Sequence, residues 1–452
     1  MSQLQRIIGV RALALGMVNV TVGAGIFGLP AYAAHDLGAG AVFAYLACVV
    51  LVVLVGLCIA EAGSRVSGAG GLYAYATEAH GPFAGAVAGH MLWFGNGAAG
   101  NAAVTVLFAD TVGLLVPALA PPVPRAAMML AYYGALVVIN VRGARHGVRF
   151  SQLTTVIKLV PLVGLLVLGL PHVHAANLHV DAVPGVGALS KTSVLLFFAF
   201  LGFETALNTS GEVTAPARTV PRALLVALTM IATLYLGLQL VAQGVLGPAL
   251  ATAGDAPLGA TARAAFGPIG GTVILVATAL STGGSTATDT LATPRVVYAL
   301  GRDGVLPRQL GLVHAVYRTP SVAIVAYTVV CATLALSGTF RALATLGASG
   351  TLSLYLVCCT GVLRLRRRGV RGEKAPFVVP GGVVVPVLAS VAIVAMLAGL
   401  GARDWVALGA MVTVAGGMAA WARKRGPGSR ETPPPPAPLL ASEEGGAPAK
   451  RS

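Results

Sequence analysis

Charge is scarce in this chain. Only 10% of its 452 residues are Asp, Glu, Lys or Arg, where a soluble globular protein carries about 25%. Acids are the rarest, 15 against 30 Lys and Arg. This deficit, with a mean hydropathy of +0.83, excludes an ordinary soluble domain and puts the bulk of the chain in lipid. Cysteine is rare too. Cys48, Cys58, Cys331, Cys358 and Cys359 sit inside apolar runs without metal-type spacing, and read as small core residues. Strict alternation of polar and apolar residues, the mark of a membrane β-barrel, is missing. No nucleophile–base pair or metal cluster occurs in an order that would make an enzyme. No repeated polar ring suggests a channel pore, and no stretch reads as a soluble signalling domain.

Long apolar runs are what the chain does have, such as Ala41–Ala60, Val156–Leu170 and Leu224–Val241. A helix needs about 20 apolar residues to cross the hydrocarbon core. On that basis the chain reads as all-α and polytopic, with about twelve transmembrane helices at 10–34, 40–63, 83–117, 126–141, 151–171, 190–213, 222–247, 268–299, 320–338, 340–363, 381–400 and 404–422. The first run is too long for a cleavable signal core. With the N-terminus (1–9) inside, 24 of the 30 Lys and Arg fall on the cytoplasmic side, five outside and one, Lys158, within a span. That is the positive-inside pattern. It explains the net charge of +15 as topology and speaks against nucleic acid as a partner. The expected location is the plasma (inner) membrane with both termini cytoplasmic. Residues 423–452, rich in Pro, Ala and Glu, read as a short disordered tail, too short for a folded domain.

Two spans look broken. Span 1 holds Val22-Gly23-Ala24-Gly25-Ile26-Phe27-Gly28-Leu29-Pro30, a cluster that resists regular helix. Span 6 holds Phe197 to Ala206, where Gly202 and Glu204 interrupt an apolar run. A carboxylate at mid-membrane costs at least about 2.5 kcal/mol and is a functional candidate by default. The breaks lie five spans apart. Five is odd, so a second five-helix unit inserts inverted relative to the first, as in transporters with broken helices at the bilayer midplane.

Several motifs stand in register. Gly23-Ala24-Gly25-Ile26-Phe27 resembles the span-1 glycine motif of the amino acid–polyamine–organocation family. Phe198–Ala206 resembles its span-6 motif, and Ile139-Asn140-Val141-Arg142-Gly143 the close of its span 4. Thr155-Val156-Ile157-Lys158-Leu159 resembles its span-5 motif, and Arg295 through Pro307 its span-8 exit. The resemblance covers roughly residues 9–365. It implies a LeuT-type five-plus-five inverted repeat, with spans 1–5 at 10–171, spans 6–10 at 190–363 and two extra C-terminal helices at 381–422. It implies an amino acid permease working by alternating access, with no catalytic chemistry, cofactor or metal.

Backbone N–H groups of Ala24, Gly25 and Ile26 can bind a substrate carboxylate at a positive helix end. Free carbonyls at Phe198, Ala199 and Leu201 can accept from its ammonium. Ala24 departs from the Ser or Thr often found there, so the backbone donors must suffice. Phe198 matches an aromatic gate of the family, and Asn101 a substrate-contacting asparagine of its arginine/agmatine antiporters. Glu204 reads as a gating or structural acid. Asp289 stands where relatives often carry a bulky apolar residue. It can select a cationic side chain, pair with Lys158 or bind a proton, and leans the substrate reading toward cationic amino acids.

Lys158 lies nine residues past Arg149, about 13 Å deeper along a helix. Proton-coupled relatives carry a lysine here in place of a sodium ion. That implies proton coupling at Lys158, with Ser285 sharing the site; the alternatives are a fixed ammonium bracing spans 1 and 5, and an amino acid/polyamine exchanger. His172, His174 and His179 in an outer loop read as solvated. The expected partners are an amino acid, protons and the bilayer; the sequence does not set an oligomeric state.

Overall fold

The computed structural model describes residues 9–66, 71–143, 147–204, 213–214, 216–371 and 375–424. The first eight residues and the tail beyond Lys424 lie outside these, as do Thr205 and Ala206 of the span-6 motif. Among the described residues there are fifteen α-helices. They are α1 (Val10–Thr21), α2 (Ala24–Leu37), α3 (Ala41–Arg65), α4 (Gly71–His80), α5 (Pro82–His90), α6 (Gly100–Leu115), α7 (Pro122–Arg142), α8 (Gly147–Gly169), α9 (Val186–Phe197), α10 (Pro216–Leu246), α11 (Pro257–Arg302), α12 (Ser321–Ser337), α13 (Phe340–Arg367), α14 (Val384–Ala398) and α15 (Ala402–Lys424).

Among the described residues, seven helical stretches are long and apolar enough to cross a bilayer, and five shorter apolar helices accompany them. Among the described residues the expected spans overlap helices, span 6 only as far as Phe200. Two of the short ones, Val10–Thr21 and Val186–Phe200, are halves of the broken first and sixth spans.

Span 1 breaks over only two residues. Val22 is extended and Gly23 leaves helical geometry with φ −144° and ψ −148°. Helix α2 then runs on through Gly25, Gly28 and Pro30, which were expected to help unwind it. Span 6 ends its helix at Phe197, makes one tight 3₁₀ turn over Phe198–Phe200 and becomes extended at Leu201. Gly202 takes φ +106°, a left-handed conformation that favours glycine.

Span 3 is not a uniform helix. Between α5 and α6 the segment Met91–Ala99 is π-helical, an insertion often found at functional sites. Its Gly95 packs against Gly350 of α13; a Cβ on Gly95 would stand 3.4 Å from the Gly350 Cα. Lipid offers no hydrophobic force between helices, so such small-residue contacts carry the packing. Span 8 is preceded by a further helical segment, joined to it at Gly267 with φ +76°. Helices α14 and α15 sit at the side of the bundle, α14 on α13, α3 and α9, and α15 on α5 and α13.

Candidate substrate site at two broken helices

The two breaks meet. A Cβ on Gly25 would lie 2.4 Å from the Ala199 Cα, so only glycine lets the start of α2 reach the 3₁₀ turn of span 6. The first N–H groups of α2, at Ala24, Gly25 and Ile26, have no acceptor four residues back inside their own helix. They form the positive end of its dipole, beside the carbonyls of span 6.

Those carbonyls are less free than expected. Phe198 O accepts from Leu201 N–H at 3.3 Å. Ala199 O accepts from the Tyr235 hydroxyl of α10 at 2.9 Å, and that hydroxyl also stands 3.0 Å from Thr21 O at the end of α1. Each carbonyl oxygen has two lone pairs, so a second donor fits. Tyr235 is wholly buried and ties both breaks to span 7.

Above the crossing lies an aromatic roof. The Phe198 ring lies over Gly100 of α6 and meets Phe340 edge-on, with centroids 6.1 Å apart. Phe340 also faces Tyr32 of α2 at 6.1 Å. The Tyr32 hydroxyl donates to Asp255 at 2.5 Å. Arg341 binds Asp36 at 2.5 Å, and its guanidinium lies 5.4 Å from the Tyr32 ring centre. These contacts tie the start of α13 to α2.

Asn101 and Asp289 touch. The Asn101 amide donates to Asp289 Oδ2 at 2.7 Å, Thr293 donates to Oδ1 at 2.6 Å, and the Tyr327 hydroxyl donates to Oδ2. Tyr133 donates to Asn101 Oδ1 at 2.8 Å. The carboxylate is thus held by neutral donors from spans 3, 8 and 9, with span 4 one bond behind. The expected option of a pair with Lys158 is not realised. Lys158, 5% exposed, instead donates to Asn19 O of α1, bracing spans 5 and 1. Ser285 stands against the break, its Oγ 3.8 Å from where a Gly23 Cβ would be. No hydrogen bond joins it to Lys158 among the described residues.

Glu204 accepts from Asn96 of the π-helical stretch at 2.8 Å and from the Gly202 N–H at 3.0 Å. The Tyr355 hydroxyl of α13 lies beside it. The acid thus clamps the unwound part of span 6 to spans 3 and 10.

Three residues escaped the sequence reading. Tyr235 is one aromatic in an apolar run and Phe340 stands between Thr339 and Arg341, and neither pattern carries a signal. Glu61 had one: a lone acid near the end of span 2, four residues before Arg65. Wholly buried, it is gripped by Arg366 through two parallel hydrogen bonds of 2.7 and 2.5 Å, by Arg65 at 2.8 Å and by the Val379 N–H at 2.8 Å. Among the outer-loop histidines, His172 packs edge-on against Phe266.

Comparison with known proteins gives one consistent picture. The profile described as amino acid permease matches residues 8–419. The chain is 29% identical over 407 residues to the branched-chain amino acid permease BcaP of Lactococcus lactis subsp. cremoris, covering 83% of this chain and 85% of the relative. It is 28% identical over 385 residues to the serine/threonine exchanger SteT of Bacillus subtilis, covering 82% and 86%. A branched-chain permease of Bacillus subtilis is 24% identical over 420 residues, with 90% of each chain covered.

Proposed function

This chain belongs to the amino acid permease family, and we propose that it moves a zwitterionic amino acid with a neutral side chain by alternating access. It is a multi-pass membrane transporter and not an enzyme. The observation that carries the substrate reading is the contact of Gly25 with Ala199. It sets the first N–H groups of one broken helix, which have no acceptor inside that helix, beside carbonyls of the other, so one end of the site suits a carboxylate and the other an ammonium.

The side-chain preference follows from Asp289. Three neutral donors from spans 3, 8 and 9 hold its two oxygens, which supports reading it as a cross-link between helices. The lean toward cationic substrates is therefore not carried forward. The named substrates of the similar proteins, branched-chain amino acids and serine or threonine, are all neutral.

We assign the arginine-rich end to the cytoplasm, from the positive-inside pattern. Proton coupling at Lys158 is the favoured mode of drive. The Lys158 ammonium bridges spans 5 and 1, where a change of its charge would alter the bracing of the first broken helix. Exchange is the second reading, favoured by the likeness to an exchanger and by a lysine that would serve equally as a permanent brace.

Reconstitution separates these. Purified protein in liposomes is given labelled leucine, serine or lysine, with an inward proton gradient and no internal substrate. Accumulation that collapses with a protonophore supports symport. Uptake that appears only after preloading supports exchange. Preference for lysine over both neutral labels would overturn the substrate reading.

A further inference from the structure

We propose that Phe340 is a second gate residue of the transport cycle, closing the substrate compartment from the end opposite the arginine-rich loops, and that Gly28 is the seat built to receive it. The proposal rests on the transporter reading but not on which amino acid is carried.

The geometry begins with the start of α13. Thr339 caps that helix, its side chain accepting from the Ala342 N–H. This fixes Phe340 and Arg341 as the first two helical residues and aims both at span 1. Phe340 is 1% exposed. A Cβ on Gly28 would come 2.8 Å from Phe340 Cε1 and 3.1 Å from Cζ. The space beside Gly28 that any other residue would fill is therefore occupied by the ring. Gly28 has ordinary helical geometry inside α2, so turn formation does not account for it; the ring does.

The same ring meets Phe198 edge-on. It thus touches the second half of span 1 and the aromatic of the span-6 break together, and no ligand can pass between those two while it stays. Arg341, the next residue, adds its ion pair to Asp36 and its stacking on Tyr32. One capped helical turn supplies both the stopper and its latch. For substrate to enter from this side, the ring must leave Gly28.

The test reads the roof directly. Leu107 of α6 is fully buried and lies 3.3 Å from the same Gly28 Cβ position, so Leu107→Cys reports on its opening. The reporter is placed in a chain whose five native cysteines are replaced by alanine. Whole cells are treated with a membrane-impermeant maleimide, and the rate of modification is followed. Gly28→Ala should raise that rate about tenfold, although alanine otherwise favours a helix over glycine. Phe340→Ala should do the same. Combining them should add little, because without the ring there is nothing for the new methyl group to displace. If Phe340→Ala fails to reach the membrane, Phe340→Leu replaces it in the cycle. A Gly28→Ala rate equal to that of the parent, or additive effects in the double variant, would overturn the proposal. Because the readout is labelling and not uptake, a wrong substrate class would leave these rates unaffected.

Discussion

Tyr235 donates its hydroxyl to Ala199 O at 2.9 Å from a position only 3.0 Å from Thr21 O. One buried hydrogen therefore serves the carbonyls on the near sides of both helix breaks. Removing it leaves acceptors unpaired in a buried place, a loss of about 1–3 kcal/mol. Tyr235→Phe should raise the KM for the amino acid by about tenfold or more, while the protein still reaches the membrane. Uptake kinetics in reconstituted vesicles, with surface abundance measured alongside, check this.

Gly25 tolerates no side chain. A methyl group there would sit 2.4 Å from the Ala199 Cα, which is backbone and cannot turn aside. Gly25→Ala should abolish substrate binding, whereas Gly16→Ala, where a Cβ meets nothing within 4 Å, should be silent. Equilibrium binding of labelled substrate to both variants distinguishes a local effect from a general one.

Asp289 should matter for stability more than for selectivity. Asn cannot accept on both branches as the carboxylate does, so Asp289→Asn loses at least one of three hydrogen bonds, about 1–3 kcal/mol where the site is buried. The expected result is a lower melting temperature in detergent and an unchanged ranking of leucine, serine and lysine as competitors. Selective loss of lysine recognition would instead restore the cationic reading.

Glu61 and Arg366 should behave as one unit. Removing Glu61 leaves Arg65 and Arg366 without their carboxylate, at a cost of about 3–5 kcal/mol for a buried pair, and removing Arg366 leaves the buried Glu61 with Arg65 as its remaining cation. Glu61→Gln and Arg366→Gln should each lower the melting temperature sharply, and the double variant should be less damaged than the sum of the two. Thermal unfolding of the three proteins tests the coupling.

Much of the fold could be read from the sequence because the bilayer enforces it. Apolar run length is a one-dimensional signal, and the all-helical, multi-pass architecture follows from it. The breaks were legible as well, since Gly202 and Glu204 have no ordinary place in a membrane helix. What the glycines of span 1 do was not. Gly25 and Gly28 look like helix breakers in a sequence, yet both are helical, and each is needed for what lies across from it: Ala199 for one, Phe340 for the other. A contact between residues some 170 or 310 positions apart leaves no local trace. The same holds for Tyr235, one aromatic among many in an apolar run. Asp289 was legible as important, but its neighbours Tyr327 and Thr293 were needed to see that it cross-links helices.

The π-helical stretch Met91–Ala99 changes how span 3 must be drawn on a helical wheel. Five residues of regular α-helix turn through roughly 500°, which would leave Asn96 and Asn101 about 140° apart. Wider π turns, bonded i to i+5, shift the phase and bring the two amides nearer to one side, where Asn96 answers Glu204 and Asn101 answers Asp289. A wheel projected from the start of the span thus misplaces every position after Ala99. Deleting a single residue from the stretch would rotate one of these two asparagines out of phase with its acid, without altering the composition of either site.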